Sequence, residues 1–230
     1  MTRRFDISTQ RPLTIAHRAG NDLALLGRAE RLGVDLVEAD VRFRRGRLEV
    51  HHYKTMGPVP LLWDRWSVAP GWTRRLQLNE LLAALRPGTE LLLDLKPGPP
   101  SFPLRLLETM RACLDGRDYS VCSQFWPLLE PFRRDTAVRV FHSIGGQRQL
   151  ESFMARTSVL RPCAVSIHRK LLTQLVVDRL LAVVPVVVSW PVNRDDTLER
   201  LRGWGVNGFI SDSLDVLAPI VSRPLDGSRG

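Results

Sequence analysis

The stretch LTIAHRAGNDLALLGRAERLGVDLVEADV, residues 13–41, carries the fold of the chain in miniature. Residues 13–17 form an apolar run that reads as a strand. Residues 22–32 repeat apolar side chains at intervals of three and four, as an amphipathic helix does, and residues 36–41 read as a second strand. A strand, a helix and a strand in this order make a parallel unit whose crossover helix covers one face of the sheet. The alternation continues along the chain. Further strands are expected at 91–95, 120–123, 138–142, 164–167, 186–190 and 208–210, separated by helical segments such as 78–85, 104–114 and 197–204. Eight strands in 230 residues close a barrel more naturally than they form an open sheet. The expected fold is therefore α/β, a parallel (β/α)8 TIM barrel in a single domain spanning residues 1–230.

Departures from the repeat are few. Residues 1–11 read as an N-terminal extension and 223–230 as a flexible tail. An added strand at 47–52 follows the Arg45-Gly46 turn and should lie beside the second barrel strand. Residues 56–75, rich in Pro, Gly and Trp, read as an irregular loop over the barrel mouth.

Composition narrows the class. No apolar stretch reaches the roughly 20 residues of a membrane span, and no secretory signal core follows the N-terminus, so a cytoplasmic location is expected. Cys113, Cys122 and Cys163 are widely spaced with no C-x-x-C pair, which argues against a disulfide framework or a zinc cage. The net charge of +9 comes from arginines scattered along the whole chain rather than grouped in one helix or tail. That scatter weighs against a nucleic-acid partner, yet leaves a general pull on anionic substrates and allows transient contact with a membrane surface. No obligate protein partner is evident.

In a β/α barrel the chemistry collects at the C-terminal ends of the strands. Strand one ends in His17-Arg18, strand two carries Glu38-x-Asp40, the added strand ends in His51-His52, and strand three carries Asp94-x-Lys96. Later strand ends supply Gln124, His142, His168, Trp190, Asn193 and Asp212. Glu38 and Asp40 are two apart and share a face, as do Asp94 and Lys96. Buried paired carboxylates need neutralising, and the oxygen set of Glu38, Asp40 and Asp94 suits one divalent cation, Mg²⁺ or Ca²⁺, better than zinc. The alternative is a salt-bridge cluster with Arg18 and Lys96. His17 and His52, on different strands, can flank a substrate as base and acid, while Arg18 and Lys96 supply positive charge for phosphate oxygens. Trp190, Asn193, His168 and Gln124 are candidates to line the substrate pocket. For His142 and His168 a supporting or core-packing role is at least as good a reading.

These motifs resemble those of the glycerophosphodiester phosphodiesterases, barrel enzymes of the phosphatidylinositol phospholipase C-like group. The family's His-Arg-Gly strand end is matched by IAHRAG (residues 15–20), with Ala19 in the glycine's place. Its Glu-x-Asp-Val is matched by GVDLVEADV, its Val-x-His by Val50-His51-His52, and its Glu-x-Lys by Asp94-Leu95-Lys96. The ending SWPVN (189–193) and GVNGFISD (205–212) is similar to the family's last two strand ends. The resemblance implies His52 rather than His51 as the second catalytic histidine, and a phosphodiester hydrolase releasing an alcohol by His/His acid–base chemistry. The chain differs in lacking the family's Pro-Glu-Asn-Thr segment and in carrying Tyr53 where an Asp follows the histidine. Asp94-x-Lys96 is also found in sphingomyelinase D-type enzymes, so a lysophospholipase D or sphingomyelinase D-like lipid hydrolase is a second reading. Trp63, Trp66 and Trp72 would cover a lipid-like group in that case, the alternative being that they pack the loop onto the barrel. A non-catalytic barrel that binds a phosphorylated ligand is a third.

Overall fold

The computed structural model describes residues 11–55, 61–64, 67–114 and 116–222. The first ten residues, the 223–230 tail, and residues 56–60 and 65–66 of the loop, Trp66 among them, lie outside the described residues.

Among the described residues, eight parallel strands pair in sequence order: β1 (Leu13–Ala16), β2 (Leu36–Arg44), β3 (Glu90–Leu95), β4 (Tyr119–Ser123), β5 (Val138–Ile144), β6 (Ala164–His168), β7 (Val186–Trp190) and β8 (Gly208–Ser211). Ile15 of β1 lies beside Leu36 on one side and Ile210 on the other, and this double pairing closes the sheet. The chain is a single-domain (β/α)8 barrel. The first unit shows why the local sequence folds this way. The Asp22 side chain accepts from the Ala24 and Leu25 amides at 2.8 and 3.0 Å, capping the helix Leu23–Leu32. Gly33 ends that helix in the left-handed region at φ 80°, where its N–H bonds the Ala29 and Glu30 carbonyls.

Period-two alternation divides each strand between two apolar compartments. Val37, Leu93, Val165 and Val187 face outward and pack beneath helical residues such as Phe102, Leu106, Leu180 and Leu217. Ile15, Leu36, Leu92, Phe141, Val188 and Ile210 form the cluster that fills the barrel interior. Each large aliphatic side chain so buried contributes about 1.5–3 kcal/mol of transfer free energy. The inward series then becomes polar toward the C-terminal ends: Leu36 is followed by Glu38 and Asp40, and Leu92 by Asp94 and Lys96. That change of character sets the floor of the site.

β2 runs three residues past its expected end. It turns at Arg45 and Gly46, both at positive φ (49° and 77°) as a tight two-residue hairpin demands. Arg47–Val50 returns antiparallel to it, Val41 beside Val50, and pairs in turn with Leu76–Gln77. Described parts of the stretch expected to be irregular form strands: Leu61–Asp64 and Ser67–Pro70 make a three-stranded antiparallel sheet with Lys54–Thr55 just before it. Strands of two to four residues, one of them ending in Pro70, carry no readable alternation, which is why composition alone suggested a loop.

Candidate active site

A cleft of about 170 Å³ opens at the C-terminal end of the barrel. His17, Arg18, Glu38, Asp40, His52, Asp94 and Lys96 all line it, with Gln124, His168 and Trp190 on the opposite side. Of the expected site residues only Asn193 is not among its lining residues.

The carboxylates are brought together by register. Asp40 and Asp94 are direct partners across the parallel β2–β3 pair, with Glu38 one turn of the pleat below. One oxygen from each of Glu38, Asp40 and Asp94 falls within 4.8 Å of the others, a cluster able to hold a metal ion. Lys96 bonds both Asp40 and Asp94. The electrostatics record the crowding. Burial, and then the charge of Asp40, push the Glu38 carboxyl up to about 8. Burial acts the same way on Asp40, but Lys96 and then His52 outweigh it and hold Asp40 down at about 2. The Lys96 ammonium is kept well above its ordinary value by Asp94, Asp40 and Glu38 against the pull of burial. Arg18 adds a second cation, its Nε 3.8 Å from Asp40 Oδ2, and the three clustered carboxylates offer hard oxygen donors of the kind that fit a divalent cation.

Backbone geometry at the end of β1 serves the same cluster. Arg18 adopts a left-handed conformation (φ 55°), and its amide donates to Glu38 Oε2 at 2.6 Å. Gly20 allows this segment to lie against β2: a Cβ there would fall 2.7 Å from the Ala39 Cβ. Asn21 grips Asp40 twice, donating to its Oδ2 at 2.7 Å and accepting its amide at 2.9 Å.

His17 is positioned from the last barrel strand. Its Nδ1 lies 2.6 Å from Asp212 Oδ1, which leaves Nε2 as the free ring nitrogen. Burial alone would lower the imidazole's pKa, yet the Asp212 hydrogen bond, with Glu38 and Asp212 charges, raises it. Asp212 is in turn held by Asn193, whose amide donates to Oδ2 at 2.7 Å while its carbonyl oxygen accepts the Asp212 amide at 2.9 Å. Asn193, expected in the substrate pocket, is thus a brace for the acid that orients His17. Asp212 was visible in the sequence as a strand end, but its partnership with His17 exists only once β8 closes against β1.

The neighbouring histidines separate by face. His52 lines the cleft, whereas His51 is buried beside Glu49 at 3.3 Å and Tyr53, with Arg75 also on Glu49. Burial first, with Arg42 and Arg75 opposing the pull of Glu49, lowers His51 to about 4. Lys54 lies over the Trp63 ring at 5.7 Å, within the small sheet. His142 also points away from the cleft, edge-on to Trp126 and against Phe153. In the cleft wall, His168 meets Trp190 edge-on at 4.9 Å, and Trp190 is followed by a cis bond to Pro191.

No family model matches the chain, and no curated relative matches it. Solved structures do. A glycerophosphodiester phosphodiesterase from Thermotoga maritima aligns over 91% of this chain and 98% of its own at 16% identity, TM-score 0.71. The chain has the fold of the glycerophosphodiester phosphodiesterases. A phosphodiesterase from Oleispira antarctica, in complex with the product sn-glycerol-3-phosphate, aligns over 94% and 99% at 17% identity, TM-score 0.70. A glycerophosphodiester phosphodiesterase from Parabacteroides distasonis aligns over 92% and 97% at 18% identity, TM-score 0.67. Within this glycerophosphodiester phosphodiesterase fold, Asn21 is the supporting residue that sequence reasoning passed over, because it acts through Asp40, 19 positions away.

Proposed function

We propose that the chain is a metal-dependent phosphodiester hydrolase, acting on a glycerophosphodiester or a related lipid-derived diester. The observation that carries this reading is the convergence in one cleft of two histidines, three carboxylates and Lys96. Glu38, Asp40 and Asp94 would hold the cation, Mg²⁺ or Ca²⁺, which when bound supplies positive charge to a phosphoryl oxygen. Arg18 and Lys96 bind the remaining non-bridging oxygens. One of His17 and His52 takes the proton of the attacking hydroxyl, from water or from the substrate itself. The other gives a proton to the departing alcohol oxygen, so charge balances across the displacement. Asp212 fixes which nitrogen of His17 carries the hydrogen bond and which does the proton transfer.

The test is direct. The purified chain should hydrolyse glycerophosphocholine, lose that activity in excess chelator and regain it with Mg²⁺ or Ca²⁺. Full activity in chelator, with no metal in the purified protein, would overturn metal dependence and leave the carboxylates as an ion-pair cluster with Arg18 and Lys96. A second reading, a lipid hydrolase of the lysophospholipase D or sphingomyelinase D kind, is favoured by the small sheet after His52. Trp63 is 42% exposed and Trp72, beyond that sheet, 78% exposed. Faster turnover of lysophosphatidylcholine than of glycerophosphocholine would select it. No helix among the described residues is long and apolar enough to cross a membrane.

A further inference from the structure

Past Gln124 the cleft meets a second and larger space. A groove of about 410 Å³ lies between the segment Trp126–Arg134, which follows β4, and the helix Gln147–Ala155, which follows β5. Gln124 lines both spaces. Both walls grow from C-terminal strand ends, so the groove starts at the face of the barrel that carries the cleft and follows the helix down its flank toward Arg156 and Leu160.

Its walls are held in place. The Gln149 side chain bridges the two strand ends, donating to the Gln124 carbonyl at 3.0 Å and accepting the Gly145 amide at 2.7 Å. Gly145 leaves room for the junction: a Cβ there would sit 2.5 Å from Gln124 Oε1. The Trp126 ring is fixed by its Nε1 donating to the Ser143 carbonyl at 3.0 Å. The groove is therefore a built surface, not a gap between loose loops.

Its chemistry is mixed in a particular way. Phe125, Pro127 and Leu160 give it an apolar lining, and Phe125 is 51% exposed. Arg148 and Arg156 stand on one wall, and neither makes an ion pair among the described residues. The acidic residue in the lining, Glu130, is already committed to Arg133 at 3.1 Å. An apolar surface with two uncommitted guanidiniums suits a ligand with an apolar body and an anionic end. The cleft itself, at about 170 Å³, takes a phosphate with a small alcohol, so any longer substituent must leave it.

We propose that this groove receives the outer part of one ester arm of the substrate, and that this arm is an apolar chain or ring ending in an anionic group such as a carboxylate. The inference rests on the phosphodiester reading of the cleft and names the substrate class that the cleft alone leaves open. Two non-hydrolysable phosphonate analogues of a glycerophosphodiester test it, one with a six-carbon arm ending in a carboxylate and one with the arm ending in the neutral amide. Calorimetry on the wild-type protein with Mg²⁺ should give about tenfold tighter binding of the carboxylate, the scale of one charge-assisted hydrogen bond. Arg148→Gln with Arg156→Gln should erase that difference while leaving hydrolysis of methyl p-nitrophenyl phosphate unchanged. Phe125→Ala should weaken both analogues alike. Equal affinities in the wild type, failure of both analogues to bind, or a preference that survives the double substitution would each overturn the groove's role. Absence of any methyl p-nitrophenyl phosphate hydrolysis would instead strike the phosphodiesterase reading itself.

Discussion

The barrel mouth is divided into two unlike halves. β1, β2, the returning strand Arg47–Val50 and β3 deliver His17, Arg18, Glu38, Asp40, His52, Asp94 and Lys96, so nearly all the formal charge stands on neighbouring strands. From β4 to β7 the same rim offers Cys122, Gln124, Ser143, Ser166, His168 and Trp190, which are polar or aromatic side chains without fixed charge. Charge that must act together is costly to separate from its partners in a buried site. Assembling it on adjacent strands lets Lys96 and Arg18 serve the carboxylates together and leaves the three carboxylates clustered as a metal site would need. It is from the uncharged half that the groove beyond Gln124 extends.

If that division is real, substitutions in the two halves should fail in different ways. The largest effects belong to the charged half: His17→Ala and His52→Ala should each lower kcat roughly a hundredfold or more with the fold retained, while His51→Ala stays mild. A severe His51 variant beside an active His52 variant, in steady-state assays with circular dichroism as the folding control, would reverse the assignment. Next comes the brace from β8. Asp212→Asn keeps a side chain able to bond His17 but removes the charge that raises its pKa, so kcat should drop about tenfold. The His17 limb of the pH–rate profile should move to lower pH, the direction set by losing a partner that favours the imidazolium. A limb that stays in place would show that Asp212 only packs.

In the uncharged half, Trp190→Ala should raise KM about fivefold and change kcat less than about twofold, because its ring walls the cleft without touching the transferred charge. A collapse of kcat would break the contrast between the halves. The smallest effect lies outside the mouth. Burial first, then Arg133 and Arg156, lower His142 from 6.5 to about 4. The unfolded chain therefore binds more protons as pH falls through 6.5, and stability should decline from there down to about pH 4, by up to about 3 kcal/mol. His142→Phe, which keeps the ring packing against Trp126 and Phe153, should flatten the fall in melting temperature over that interval. An unchanged slope would place the acid sensitivity elsewhere.

How much of this could be read from the chain depends on range. Strand positions were legible because each inward series turns from apolar to polar at the mouth, as in Leu36, Glu38, Asp40 and Leu92, Asp94, Lys96. Asp40 and Asp94 meet because their strands are parallel neighbours in register, which alternation already implies. Asn193 and Asp212 were legible as strand ends and not as a brace, since their link to His17 depends on the last strand closing on the first. The small sheet after His52 escaped notice because its strands are too short to establish a period. The groove beyond Gln124 is formed by a 3-10 segment and a helix that face each other only through the curvature of the barrel.

The hydrogen bond between His17 and Asp212 spans 195 positions, and this bears on how the site forms during synthesis. During synthesis the ribosome releases His17, His52 and all three carboxylates long before residue 212 has emerged. The nascent chain thus holds its reactive groups with the first histidine unoriented and the barrel still open. The cluster around His17 is completed only by the final strand, which ties assembly of the site to closure of the barrel.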